Sequence, residues 1–329
     1  MVAVETAETK AAPRAASALP TRLAMRLART LLVTFWVMVI SFGLIRLAPG
    51  DPILARLGLE AEPEAIERLR RQLRLDVDPV TQFLEFFFGL LRGDMGRSIE
   101  NGRSVAGLIA ESLPVTLWVI GTTVVMSLVI AVPLALAVAL SRRAWVAYLF
   151  RASTAVFLAI PAFFTALVGL LVFGLHLQMA PIIGYEPSFP ANLPYLWLPA
   201  LVISITLVPV LARVLCSSII ETMNEEFVET GVIRGVDRFR FYWVYILKPS
   251  LAPTIVLLSY MIGVMIGSTV IIETIFTLPG IGRNLVQAVV SRDYPVVQGI
   301  VLVFGLMVVL IGLVGDLLAR WIDPRVDLA

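Results

Sequence analysis

The chain has 329 residues, of which 59% are hydrophobic and 15% charged, with a formal net charge of +2. Soluble globular chains are about half apolar and a quarter charged, so this composition excludes one, and so small a net charge does not suggest a nucleic-acid partner. A single cysteine, Cys216, excludes an internal disulfide and any cysteine-based metal cluster.

Residues 1–21 read as a disordered cytoplasmic tail, polar, alanine-rich and weakly charged. The apolar run after it ends at Arg46 with Ala-Pro-Gly-Asp following, not at a small-residue cleavage site, so it is not a signal peptide. Six stretches contain no Asp, Glu, Lys or Arg: Thr30–Ile45, Ser112–Ser141, Ala152–Tyr185, Pro187–Ala212, Pro249–Ile272 and Tyr294–Gly315. A helix needs roughly 20 apolar residues to cross a bilayer core. Five stretches meet that directly. The first does so once Met25–Leu47 is counted, with Arg26, Arg29 and Arg46 snorkelling near its ends. The expected fold is therefore all-α and polytopic. Its six transmembrane helices cover about 25–47 (within a first membrane segment, 22–47), 113–140, 146–176, 196–216, 250–272 and 296–320.

Short connections on one side carry Arg142, Arg143, Arg151, Arg213, Arg234, Arg238, Arg240 and Lys248. By the excess of basic residues in short loops, that side and both termini are cytoplasmic. Residues 48–111 are then a long extracytoplasmic segment. Within it Pro63 suits a first helical turn, and Ile66, Leu69 and Leu73 recur at helical spacing. Phe83 to Leu91 is almost wholly apolar but too short to span, so it lies at the interface or packs on the bundle, as a cap or as a docking surface. A loop is expected over 273–294. Pro133, Pro161, Pro199, Pro209 and Pro253 lie inside spans and predict kinks.

Enzymatic signatures are missing. There is no H-E-x-x-H zinc site, no G-x-S-x-G nucleophile elbow and no G-x-x-x-x-G-K-[ST] phosphate loop. Asp316 follows a Gly-Leu-Val-Gly run that lacks the extra glycine of an intramembrane aspartyl protease, and no second membrane aspartate accompanies it. An ion-coupled carrier needs ionisable residues at mid-membrane. Here Glu273 and Asp316 lie toward span ends, where partial solvation is the default, and His176 sits in an apolar run, either facing a pathway or packed. Neither catalytic residues nor metal ligands are assigned.

Residues 225–250, EEFVETGVIRGVDRFRFYWVYILKPS, form the polar connection between spans four and five. Phe227, Val228, Val232 and Ile233 make an apolar stripe on a short helix, and Glu225, Glu226 and Glu229 suit its first turns. Gly235 fits its C-terminal cap and Asp237 starts a new turn. Physics alone leaves two readings, a protruding knob or an ordinary interfacial hairpin. The stretch resembles the cytoplasmic loop of ABC importer permeases, Glu-Ala-Ala, three residues, then glycine. Glu229, Thr230, Gly231 and Gly235 occupy those places, with Thr-Gly where Ala-Ala is usual and Tyr245 where peptide permeases often have histidine.

RLAPGDP at 46–52, GDMGRSI at 93–99, SLPVTLWV at 112–119, ETIFTLPGIGRNLVQAVVSRDYPVVQG at 273–299 and Asp323-Pro324-Arg325 also resemble the dipeptide/oligopeptide/nickel permeases, in order and spacing, over about residues 22–325. The long external segment resembles that of the first of the two permeases in such systems. The resemblance implies a type I ABC importer permease fold, with a core domain at 112–322, a coupling loop at 221–248 and a cytoplasmic tail at 323–329. It implies a second permease, two ATP-binding subunits that use ATP and Mg, and an extracytoplasmic substrate-binding protein, in a bacterial or archaeal cytoplasmic membrane. This chain itself would need membrane lipid but no cofactor. Coupling to the ATPases would fall to Glu229, Thr230, Gly231, Arg234, Gly235 and Asp237. Glu273, Pro279, Gly280 and Arg283 form either an external gate or a structural loop. Peptides are the expected cargo, with nickel, glutathione or another small solute as alternatives. A stand-alone secondary carrier is the reading from another class.

Overall fold

The computed structural model describes residues 18–47, 51–58 and 61–322. The tail expected at 1–21 lies outside them up to residue 17, as does the tail at 323–329. Among the described residues the chain is all-α. In order, the helices are α1 (Ala18–Leu47), α2 (Pro52–Leu57), α3 (Pro63–Gln72), α4 (Pro79–Leu91), α5 (Val105–Ala139), α6 (Ala144–Ala159), α7 (Ala162–Gly169), α8 (Leu193–Met223), α9 (Glu226–Ile233), α10 (Arg238–Arg240), α11 (Lys248–Ile275), α12 (Ile281–Val290) and α13 (Tyr294–Ile322). Widened π-type turns continue α7 over Leu170–His176 and lead into α11 over Phe241–Leu247.

Among the described residues, four continuous helices are long and apolar enough to cross a membrane: α5, α8, the run Arg238–Ile275 that ends in α11, and α13. The expected third span is broken. Its halves, Ala144–Ala159 and Ala162–His176, meet at 89°. Pro161 causes the break, because the residue before a proline is pushed out of the helical region, and Ile160 is extended at φ −83°, ψ 121°. Pro114, Pro133, Pro199, Pro209 and Pro253 stay inside continuous helices. The first predicted span falls on α1, whose apolar stretch is Leu31–Gly43. The chain is an integral membrane protein.

α8 is the centre of the bundle, since 67% of its most apolar stretch is buried, against 33% for α5 and α13. It packs on α5, where Ser127 Oγ donates to Ser204 Oγ at 2.9 Å and Ser204 Oγ donates to the Thr123 carbonyl at 3.4 Å. Such interhelical polar contacts favour association where lipid offers no alternative partner. α11 packs on both α8 and α13, and α1 lies against α13. The apolar run in α4 packs on α1 through Phe83, whose ring meets those of Phe42 and Phe35 edge-on. Arg46 donates to Gln82 Oε1 at 2.6 Å on the same seam.

A 28-residue helix such as α11 rises about 40 Å. Residues 221–248 and residues 273–294 therefore sit at opposite ends of the bundle, the α9 end and the α12 end.

Candidate functional site: two ends of the bundle

At the α9 end, the polar connection forms a knob. α9 closes on a Schellman turn: the Gly235 N–H donates to the Val232 carbonyl at 3.0 Å and the Val236 N–H to the Gly231 carbonyl at 3.4 Å. This turn needs its first residue past the cap in the left-handed region, and Gly235 has φ +63°. Asp237 then caps α10, accepting from the backbone N–H groups of Phe239 and Arg240. Glu229, Thr230, Arg234, Gly235 and Asp237 are exposed on the knob, whereas Gly231 is buried beneath it. Val232, Ile233 and Phe239 are 63%, 79% and 77% exposed, and the Phe239 ring stacks on Trp243, itself exposed. So much apolar surface on a polar protrusion marks an interaction site.

The base of the knob is fixed. Val228 is buried, and Ser250 Oγ donates to Thr222 Oγ1 at 2.9 Å, joining the end of α8 to the start of α11. A Cβ on Gly231 would lie 3.1 Å from two Tyr245 ring carbons. Two of the three departures from the resembled pattern, Gly231 and Tyr245, thus pack on each other. Gly231→Val, which adds two further carbons at that contact, is expected to destabilise the knob by about 2 kcal/mol through overpacking. Tyr245→His in the same chain should recover part of it, read as the thermal midpoint of the purified subunit.

At the α12 end, the segment expected to be a loop holds a ten-residue helix, α12. Its apolar stripe is too short to stand out from the runs around it. Glu273, expected to be partly solvated near a span end, is completely buried. The physical reason is its partners. Thr116 Oγ1 donates to Glu273 Oε1 at 2.6 Å, and the N–H groups of Gly282 and Arg283 donate to Glu273 Oε2 at 2.8 and 3.1 Å. A carboxylate at a helix N-terminus meets free amides and the positive end of the dipole. Ile281 completes the turn by donating its N–H to Thr116 Oγ1 at 3.0 Å.

Arg283 therefore meets Glu273 through its backbone, and its guanidinium donates instead to the Thr277 carbonyl at 2.8 Å. Thr277 closes α11 in the left-handed region at φ +52°, a strained setting for a β-branched residue. Gly280 is required by close approach, because a Cβ there would overlap the Glu273 carboxyl group. The same holds at Gly282, where a Cβ would lie 2.7 Å from the Val270 Cα. Pro279 is exposed on the turn. Glu273, Gly280 and Arg283 are thus one assembly, with Pro279 at its rim.

The sequence reading missed Thr116, Ser112 and Asp293. Asn284 Nδ2 donates to Ser112 Oγ at 2.6 Å, and Asp293, 2% exposed, accepts from the N–H groups of Ile99 and Glu100. These contacts bring the motifs at 93–99, 112–119 and 273–299 into one layer. For Ser112 and Thr116 the available signal was a hydroxyl inside an otherwise apolar run; Asp293 lies in a polar stretch, Ser291-Arg292-Asp293, and had none. His176 is exposed, and its Nδ1 lies 2.9 Å from the Leu171 carbonyl.

Comparison with known proteins gives a consistent result. Residues 131–328 match the family described as "Binding-protein-dependent transport system inner membrane component", and residues 21–135 match the N-terminal membrane component of the same systems. A protein of Brucella suis named as a peptide permease is 35% identical over 315 residues, covering 92% of this chain and 95% of that protein. Another from Brucella suis, named as a peptide transport system permease, is 32% identical over 92% of this chain and 97% of its own length. An Escherichia coli protein named as a D,D-dipeptide transport system permease is 31% identical over 90% of this chain and 94% of its own length.

Proposed function

The chain belongs to the family of binding-protein-dependent transport system inner membrane components, and we propose that it is the first of two unlike permeases enclosing a path for dipeptides or oligopeptides. The cargo class is supported by the names of the relatives, which are peptide and dipeptide permeases. The core domain is 112–322, preceded by a first membrane segment at 22–47 and an extracytoplasmic segment at 48–111. The α9 end faces the cytoplasm of a bacterial or archaeal cell, on the basic-loop argument. This subunit is not itself an enzyme. ATP and Mg are used by two ATP-binding partners, and a substrate-binding protein delivers cargo at the α12 end.

One observation carries this reading: a rigidly based, glycine-capped knob bearing Val232, Ile233 and Phe239 to solvent. In this role the exposed residues Glu229, Thr230, Arg234 and Asp237 meet an ATPase groove, and Gly231 and Gly235 shape the knob that presents them. ATP binding brings the two ATPases together and moves the knobs, and the spans above follow. At the other end, Glu273, Gly280 and Arg283 hold α12 across the mouth of the path, with Pro279 on its rim, and act as the support of an external gate.

The test is ATP hydrolysis by the complete assembly in lipid discs, with and without the binding protein, across short peptides, glutathione and nickel. Stimulation by the binding protein loaded with a peptide is the expected result. Stimulation by nickel or glutathione alone would keep the importer and replace the cargo. A chain that never associates with an ATPase, yet moves solute down an ion gradient, would be a secondary carrier.

A further inference from the structure

We propose that Asp293 is a positioning residue: it joins the segment before α5 to the α12–α13 junction, so that a substrate-binding protein seated on that segment is felt at that junction. This rests on the importer reading above.

The segment is loosely attached along most of its length. α3 and α4 contain no fully buried residue. Its firm attachments lie where it meets α1 and where it meets α5. Near α1, Ile53 is wholly buried and Phe83 packs on Phe42. Near α5, Ser98 and Ile99 are 2% and 3% exposed, and both contact Asp293.

Asp293 accepts from Ser98 Oγ, from the Ile99 N–H at 3.0 Å and from the Glu100 N–H at 3.3 Å. Ser98 Oγ in turn accepts from the Asn101 N–H at 3.1 Å. The carboxylate thus grips the tip of a tight turn. Ser98 donates its N–H to the Arg103 carbonyl at 2.9 Å, and Val105, the first residue of α5, donates to the Gly96 carbonyl at 3.1 Å. On its other side, the Asp293 N–H donates to the Ala288 carbonyl at 2.8 Å and ends α12, while its carbonyl accepts from Val297 and starts α13. One buried side chain therefore ties the turn before α5 to the junction of α12 and α13. Ile99 and Asp293 are 194 positions apart in sequence. Hydrogen bonds to a buried carboxylate are strong and directional, and a rigid polar joint between two bodies lets a load on one bias the other.

The experiment uses the complete assembly in lipid discs with the peptide-loaded binding protein. Asp293→Asn keeps the size of the side chain but turns an amide donor toward the Ser98 hydroxyl or a backbone N–H. We expect normal assembly and basal ATP hydrolysis, with the binding-protein stimulation ratio falling about tenfold, within the range of ordinary coupling energies. A second variant carries Ser98→Cys with Asp293→Cys. Joining the two thiols with a short bifunctional reagent should restore stimulation, and cleaving the linker should remove it again. Full stimulation of Asp293→Asn, or a linked pair no better than the unlinked one, overturns the proposal. A wild-type assembly that no loaded binding protein stimulates overturns the importer reading instead, and this proposal with it.

Discussion

Glu273→Ala is expected to strip α12 from the bundle and abolish transport. Three donors lose their acceptor at once, the Thr116 hydroxyl and the N–H groups of Gly282 and Arg283. All of them are at a site where Glu273 itself is completely buried. Each unsatisfied buried donor costs about 1–3 kcal/mol, and removing the carboxyl also leaves a void. Their sum rivals the whole stability of an ordinary domain, about 5–15 kcal/mol. Gly280→Ala should fail for the mirror reason, because its methyl group needs the space the carboxyl group fills. The two lesions act on one contact, so the double variant should be little worse than the poorer single one. The measurement is the thermal midpoint and yield of the purified subunit, followed by assembly. A Glu273→Ala subunit that melts with the wild type would show that the carboxylate does not hold α12.

This site also marks the limit of what the sequence discloses. Gly235 was legible because its signal is local: an amphipathic turn, then a glycine where the helix must reverse. The apolar spans were legible because hydrophobic length is a property of a single segment. Glu273 was not, since its burial depends on Thr116, 157 positions earlier, and on backbone amides that have no side-chain identity. A charge near the end of a span reads as solvated unless those partners are known. The same applies to Asp293, whose donors lie in residues 98–100. The prolines divide on tertiary grounds as well. Five of those inside helices are absorbed, and only at Pro161 does the preceding residue turn extended and break the span. Family resemblance placed all these motifs in order without saying that three of them touch.

The two ends also differ in how they resist substitution. At the α12 end, side chains of distant elements close around a carboxylate, and changes there act through packing and unsatisfied donors. At the α9 end the knob stands free of the bundle above its base, and nothing lies within 4 Å of a Cβ built on Gly235. Backbone conformation is what matters there, and a lesion can uncouple without unfolding.

Gly235→Val should therefore leave insertion and assembly intact while removing the response of ATP hydrolysis to the binding protein. At φ +63° a residue with a Cβ loses about 1–2 kcal/mol relative to its preferred conformation. Valine is worse still because of its branch. To relieve that strain the chain must leave the left-handed region, and both capping hydrogen bonds, from Gly235 and Val236, go with it. Val232 and Ile233 would then point differently, although Val228 and the Ser250–Thr222 contact continue to fix the base. Asparagine tolerates the left-handed region better than other residues with a Cβ. The expected order of stimulated ATP hydrolysis is glycine, then asparagine, then alanine, then valine, with basal hydrolysis nearly constant. That ranking separates conformation from bulk, because alanine is smaller than asparagine yet should couple less well. If activity instead follows side-chain volume, or valine couples like glycine, the left-handed turn is not what presents the knob to its partner.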